Sequence, residues 1–339
     1  MAMTEPVRYE GISSRAFEHP ADRAASAALA SIPLMDKVLK RLSDLGYERR
    51  LRQELLGNAV QVGDNQLPSL WAGYRRSADA LDIDRVPGLY VTQTPLVNAM
   101  TVGAKTPVVV VFSGLVVDYT PAEIDCVLAH ELGHVLSEHV YYRTALETLS
   151  LLLLGAMPSA LVGLPVQALV VVLQEWARAA ELSADRASAL VAGDPIPVCQ
   201  MLMRLAGGAI PGMNIDAFIA QATDYDEEDD LFARWGRARA QLRVDHPFAV
   251  RRVKELVTWV QQGDFDRIRA GAYVRRGQEP PPAAEFDTAV AHYQARFKRM
   301  IEATVGSLGR LKGQLEAWAQ GRGAPDRGAI PFVAEGPAG

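Results

Sequence analysis

Cysteine is scarce in this chain of 339 residues. The two present, Cys126 and Cys199, form no Cys-x-x-Cys pair, so no thiolate zinc site is spelled. So few thiols fit a reducing compartment rather than a disulfide framework. Cys126 precedes a pair of histidines, where a nucleophile could sit, but on a mostly apolar helix face it reads as a small core residue. Basic charge is not in excess either. A net charge of -5, with no Lys/Arg stripe, excludes nucleic acid as the main partner. The opening stretch MAMTEPVRYEGISSRAFEHP lacks the apolar segment and small-residue cleavage site of a secretory signal. The expected location is cytoplasmic, or at a membrane surface reached from the cytoplasm.

What is present fits a folded globular protein, with 49% apolar and 22% charged residues. After an extension over 1–19, residues from Pro20 to Asp84 read as helical. Leu34, Val38, Leu42 and Leu45 fall at helical spacing, and a second helix covers LPSLWAGYRRSADALDI. Past Val86-Pro87-Gly88, the segments GLYVTQ, NAMTVG and PVVVVFS have the β-branched and aromatic content of short strands. Thr120-Pro121-Ala122-Glu123 is a capping box with proline at the first helical position. A helix with ELSAD is expected from about Gln174 to Ala192. The run DYDEEDD, Asp224 to Asp230, reads as a solvated loop without the glycine turn of a calcium site. From Phe286 to Trp318, apolar residues in steps of three and four predict one long helix packed on its own chain rather than a dimer seam. The expected divisions are helices over 20–85, a core over 86–260, a helical region over 261–320 and a disordered tail over 321–339.

The capped helix carries CVLAHELGHVLSEH. Residues four apart on a helix lie about 40° apart, so His130 and His134 point the same way and can hold one Zn²⁺ through two imidazoles. Glu131 leans toward that face and can take a proton from water activated by the metal. A third ligand is still needed. The metzincin extension is excluded because Ser137 and Val140 stand where it needs glycine and histidine. On a continuous helix His139 lies about 140° from His134, so it reads as a surface or second-layer residue. Glu181 is the better candidate, with Asp185 one turn later on the same face. One of these carboxylates can bind zinc while the other accepts the second N–H of a zinc histidine.

These pieces, in this order, resemble the HtpX-like and CAAX-prenyl-protease type of zinc metallopeptidases, within the gluzincins. The matching pieces are Asn98-Ala99-Met100, Ser113-Gly114-Leu115, Glu123, Ala129 to His134, the Arg178…Glu181…Ala184-Asp185 set, and His246-Pro247 followed by Arg252. They span about Val86 to Leu256, roughly half the chain. The resemblance implies His130, His134 and Glu181 as zinc ligands and Glu131 as general base. It implies an edge strand, starting at Asn98, Ala99 and Met100, that pairs with an extended substrate. It places His246 near the metal, as oxyanion stabiliser or fourth ligand, and Arg252 orienting that loop or binding the oxyanion. Asp245 departs from the small hydroxyl residue common before His-Pro. The N- and C-terminal helices match no part of the family.

The motif helix and Glu181 must meet at one metal, so the apolar run between them, Leu149 to Leu173, crosses a membrane twice or not at all. Two crossings need about 40 apolar residues. The run has 25, is broken by Pro158, Gly163 and Pro165, and follows Arg143 and Glu147. We therefore expect two short helices, buried in the protein or touching a membrane face peripherally through residues 149–173.

The sequence thus predicts an α+β, predominantly helical, gluzincin-type fold, with a small sheet and an active-site helix pair. It predicts a zinc endopeptidase with one Zn²⁺ per chain, acting on unfolded or membrane-derived polypeptides; prenylated peptides enter by resemblance alone. The rival is a zinc-stabilised chaperone-like or scaffold protein, self-blocked by His246 or by the tail segment IPFVAEG.

Overall fold

The computed structural model describes residues 7–32, 35, 47–103, 106–151, 164–225, 249–281 and 284–319. Among the described residues, the expected N-terminal helical region contains α1 (Pro20–Ala30), α2 (Tyr47–Asn58) and α3 (Pro68–Ala80). Leu34, Val38, Leu42 and Leu45 lie outside the described residues. The all-helical expectation up to Asp84 misses one strand, β1 (Ala59–Gln61). Three residues are too few for an alternating pattern to register, and β1 is defined by its antiparallel pairing with β2 (Gly88–Thr92).

The expected strands are all present. With β3 (Ala99–Val102) and β4 (Val108–Phe112), they form a sheet of order β1-β2-β4-β3. β2 and β4 run parallel, and β3 closes one edge antiparallel to β4. Alternation divides the side chains between the two faces. Leu89, Val109 and Val111 enter the main core, while Tyr90, Val102 and Val110 pack with Leu55 of α2 on the other side.

The short helix α4 (Ser113–Asp118) leads into α5 (Pro121–Leu136), whose capping box forms as expected. The Thr120 hydroxyl accepts from Glu123 N–H, and the Glu123 carboxylate accepts from Thr120 N–H at 2.8 Å. α6 (Val140–Leu151) follows. α7 runs unbroken over Leu164–Ala192, so the helix expected from Gln174 starts ten residues earlier, with Pro165 in its first turn. No proline or glycine interrupts it after Pro165, and Gly193 at φ 70° ends it. Pro158 and Gly163 lie outside the described residues. Among the described residues no helix is long and apolar enough to cross a membrane.

The remaining helices are α8 (Ile196–Gly207), α9 (Ile215–Asp224), α10 (Ala249–Gln261), α11 (Asp264–Arg269) and α12 (Ala284–Ala319). The main core crosses the expected divisions. It takes in Tyr9, Ile12 and Phe17 from the N-terminal extension, and Phe265 and Ile268 from α11. A second cluster joins Leu29 of α1, Leu173 and Trp176 of α7 and Phe297 of α12. From the stripe of the long C-terminal helix, Val290, Tyr293, Phe297 and Met300 thus pack on their own chain. Both cysteines are buried, and burial pushes each thiol up to about 12.

Candidate metal centre

The site forms where α5 crosses α7, and a glycine sets how close they come. A Cβ on Gly133 would stand 2.8 Å from Ala187 Cβ and 3.2 Å from Ala184 Cα. Small residues on both helices therefore let the backbones approach. That approach brings side chains from both helices to one point.

The Nε2 atoms of His130 and His134 lie 3.2 Å apart. Glu181 Oε2 is 3.4 Å from the first and Oε1 is 3.3 Å from the second. All three residues are buried. A tetrahedral zinc bound at 2.0–2.2 Å needs ligand atoms roughly 3.3 Å apart. Two imidazoles and a carboxylate fit that ion in chemistry, and one ligand atom from each lies within 4.8 Å of the others.

The charges around the cluster are organised in pairs. His130 Nδ1 lies 3.1 Å from Asp185 Oδ1. Arg252 of α10 donates to both Asp185 oxygens, at 2.7 and 2.6 Å, and pairs with Glu181 Oε2 at 3.1 Å. Of the two carboxylates the sequence leaves open, Glu181 joins the imidazoles and Asp185 stands behind His130. Burial opposes the charge on His130, but Glu181 and Asp185 outweigh it and lift its pKa to about 9. Burial and then the neighbouring Arg143 hold His134 well below the usual histidine range. Burial raises the Asp185 carboxyl, yet Arg252 and His130 bring it below its ordinary value.

Glu131 is buried beside the cluster, and its Oε2 accepts from the Thr101 hydroxyl at 2.6 Å. Thr101 belongs to β3, so the edge strand and the motif helix are tied at this glutamate. Asn98 C=O accepts from Phe112 N–H. By antiparallel alternation, the backbone groups of Ala99 and Thr101 therefore point away from β4. Asn98 and Ala99 border two clefts. One contains His130, Glu131, Leu115, Val127 and Met201; the other contains Met100, Arg143, Leu146 and Glu181. His246 lies outside the described residues.

Three residues at the site carry no signal in the motif reading, and a fourth, His139, stands in the second-layer place that is one of its two expected positions. Thr101 is one. Arg143 of α6 donates to Glu181 Oε1 at 2.9 Å and lies 2.5 Å from His134 Nε2, so a guanidinium supplies the positive charge this cluster attracts. His139 is buried, with Nδ1 2.9 Å from His134 Nδ1. The helical wheel placed it far from His134 because it assumed a continuous helix. In fact α5 stops at Leu136, and Glu138 at φ 56° turns the chain so that the imidazole returns. Asp22 of α1 lies beyond His139, 2.9 Å from its Nε2.

The model for peptidase family M48 matches residues 66–260. The chain is 36% identical to plastoglobule-localized metallopeptidase 48, chloroplastic, of Arabidopsis thaliana, over 78% of this chain and 77% of that protein. It is 30% identical to protease HtpX homolog 2 of Methanosarcina acetivorans, over 43% of this chain and 58% of that protein. It is 37% identical to a protease HtpX homolog of Moorella thermoacetica, over 23% of this chain and 26% of that protein. No solved structure matches the chain.

Proposed function

The chain belongs to peptidase family M48 and is a metallopeptidase, and on that premise we propose that it is a zinc endopeptidase holding one Zn²⁺ through His130, His134 and Glu181. The observation that supports this reading is the buried cluster itself: the imidazole Nε2 atoms lie 3.2 Å apart, and each faces one oxygen of the Glu181 carboxylate at 3.3–3.4 Å. A zinc ion held there supplies Lewis acidity, lowering the pKa of water toward neutrality and polarising a carbonyl.

The chain's own residues do the rest. Glu131, held by Thr101, accepts a proton from the attacking water and returns it to the leaving amine. Asp185 accepts from Nδ1 of His130 and keeps Nε2 for the metal. Arg252 neutralises Asp185 and Glu181, which would otherwise be two buried carboxylates side by side. Arg143, now beside Glu181 Oε1 and His134 Nε2, would have to leave those atoms for a dication held by the three ligands. An extended peptide adds to the outer edge of β3 at Asn98, Ala99 and Met100, which places its scissile bond over Glu131. His246 belongs to this reading through the family resemblance, as oxyanion stabiliser or fourth ligand.

Substrates are unfolded or membrane-derived polypeptides, supported by an open strand edge that reads backbone rather than a folded surface. The reading includes a cytoplasmic location, supported by the two free thiols, and peripheral membrane contact through residues 149–173. No observation favours the self-blocked alternative, since His246 and the tail lie outside the described residues.

The test is cleavage of casein by zinc-loaded wild type and by Glu131→Gln. Cleavage by the first and its loss in the second, with zinc retained in both, is expected. Equal cleavage by both proteins removes Glu131 from its role.

A further inference from the structure

The family match begins at residue 66, yet a carboxylate well before it reaches the metal centre. Asp22 sits in the first turn of α1 and is buried to 1% exposure. Its Oδ2 lies 2.9 Å from His139 Nε2 and accepts from the Ser183 hydroxyl; its Oδ1 accepts from Ser26 at 3.1 Å. Ser183 stands on α7 between Glu181 and Asp185. Ser26 in turn accepts from the Trp176 indole at 2.8 Å, and the Trp176 ring meets His139 edge-on, with centroids 5.5 Å apart. Trp176 itself belongs to the apolar cluster formed by α1, α6, α7 and α12.

The direction of this chain of hydrogen bonds follows from its end. An ionised carboxylate only accepts, so His139 Nε2 carries a proton and donates to Asp22. That leaves the other ring nitrogen of His139, Nδ1, to face His134. That atom accepts from His134 Nδ1–H across 2.9 Å. His134 is left with its lone pair on Nε2, the atom 3.2 Å from His130 Nε2 and 3.3 Å from Glu181 Oε1. Asp185 does the same for His130 in one step. The two imidazoles are therefore each oriented by a carboxylate, one directly and one through a second imidazole.

We propose that Asp22 and His139 form a positioning relay that sets the tautomer and ring orientation of His134, making the N-terminal helix α1 part of the metal centre. This inference rests on the zinc-ligand reading above. Neither residue touches substrate. Both act through His134. A partner of this kind typically changes metal affinity by about 10–100-fold.

The experiment is zinc affinity by chelator competition on the full chain, for wild type, Asp22→Asn, His139→Gln and the double variant, with the Tm of each metal-free protein. Asp22→Asn keeps the shape and removes the acceptor-only carboxylate. We expect zinc to bind about 10–100-fold more weakly in each single variant. The double variant should be no weaker than the worse single one, and the metal-free Tm of Asp22→Asn should stay near that of wild type. Wild-type affinity in Asp22→Asn overturns the relay, as do losses that add in the double variant. Should the variants fail to fold, ¹⁵N NMR of the metal-free wild type decides: a proton on His134 Nδ1 is expected, and a proton on Nε2 overturns the relay. Tight zinc binding by wild type and Asp22→Asn alike sinks the relay alone. No zinc binding by wild type removes the proposed function and the relay with it.

Discussion

Replacing Gly133 with alanine should disturb the metal site more than the fold. The added methyl would stand 2.8 Å from Ala187 Cβ and 3.2 Å from Ala184 Cα. Carbon atoms rest about 3.5–4.0 Å apart, so α5 and α7 must part by up to about 1 Å there. Overpacking of this size costs about 1–3 kcal/mol, while exchanging glycine for alanine inside a helix returns about 1 kcal/mol. The net loss is at most about 2 kcal/mol, which lowers Tm by no more than about 8 °C. The ligands tolerate less. Atoms spaced at 3.2–3.4 Å cannot separate by a further ~0.5–1 Å and all keep bonds of about 2.0–2.2 Å. Chelator competition should show zinc bound about tenfold more weakly or worse, a change of about 1.4 kcal/mol per decade. Adding Ala187→Gly removes the 2.8 Å contact and should restore most of that affinity. A Gly133→Ala protein that holds zinc as tightly as wild type would refute the idea that this helix contact sets the ligand spacing.

Other outcomes follow from single contacts. Thr101→Val removes the 2.6 Å bond to Glu131; hydrogen bonds to charged groups contribute about 1.5–3 kcal/mol, so kcat on a peptide substrate should fall roughly 10–100-fold with zinc content unchanged. Arg252→Ala leaves Asp185 and Glu181 buried without their shared cation and should cost about 3–5 kcal/mol in urea unfolding; a loss below ~1 kcal/mol would contradict that pairing. Burial raises the Glu123 carboxyl, but the Thr120 bonds and Arg204 outweigh it, so its folded pKa lies below the ordinary 4.5. Its contribution is therefore complete above pH 4.5 and is lost as pH falls through the folded value. Glu123→Gln should lower Tm at pH 7 and lessen the fall in Tm below pH 4.5, and parallel pH profiles for the two proteins would contradict this. Cys126 and Cys199, buried with thiols raised to about 12, should resist a thiol reagent at neutral pH until the chain is unfolded.

The site was legible where chemistry is local in sequence. The i, i+4 spacing of His130 and His134, the capping box at Thr120 and the carboxylate pair on one face of the ELSAD helix each have a local physical signature. The same holds for β2, β3 and β4, whose β-branched runs announce strands. What could not be read depends on tertiary return. β1 exists through pairing with β2, not through its own three residues. His139 is brought back by one residue at positive φ, which a helical wheel cannot anticipate. Asp22 and Arg143 reach the cluster from helices whose sequences look like ordinary amphipathic surface. Gly133 was visible in the motif, but its reason, the 2.8 Å approach to Ala187, emerges only when α7 is placed against α5.

The most direct test of the account is the anomalous difference map of zinc-loaded crystals, recorded on either side of the zinc absorption edge. The account predicts one peak per chain, about 2.0–2.2 Å from His130 Nε2, His134 Nε2 and a Glu181 carboxylate oxygen, with Arg143 withdrawn from Glu181. A peak held by other residues, or none at this cluster with zinc in excess, would contradict it.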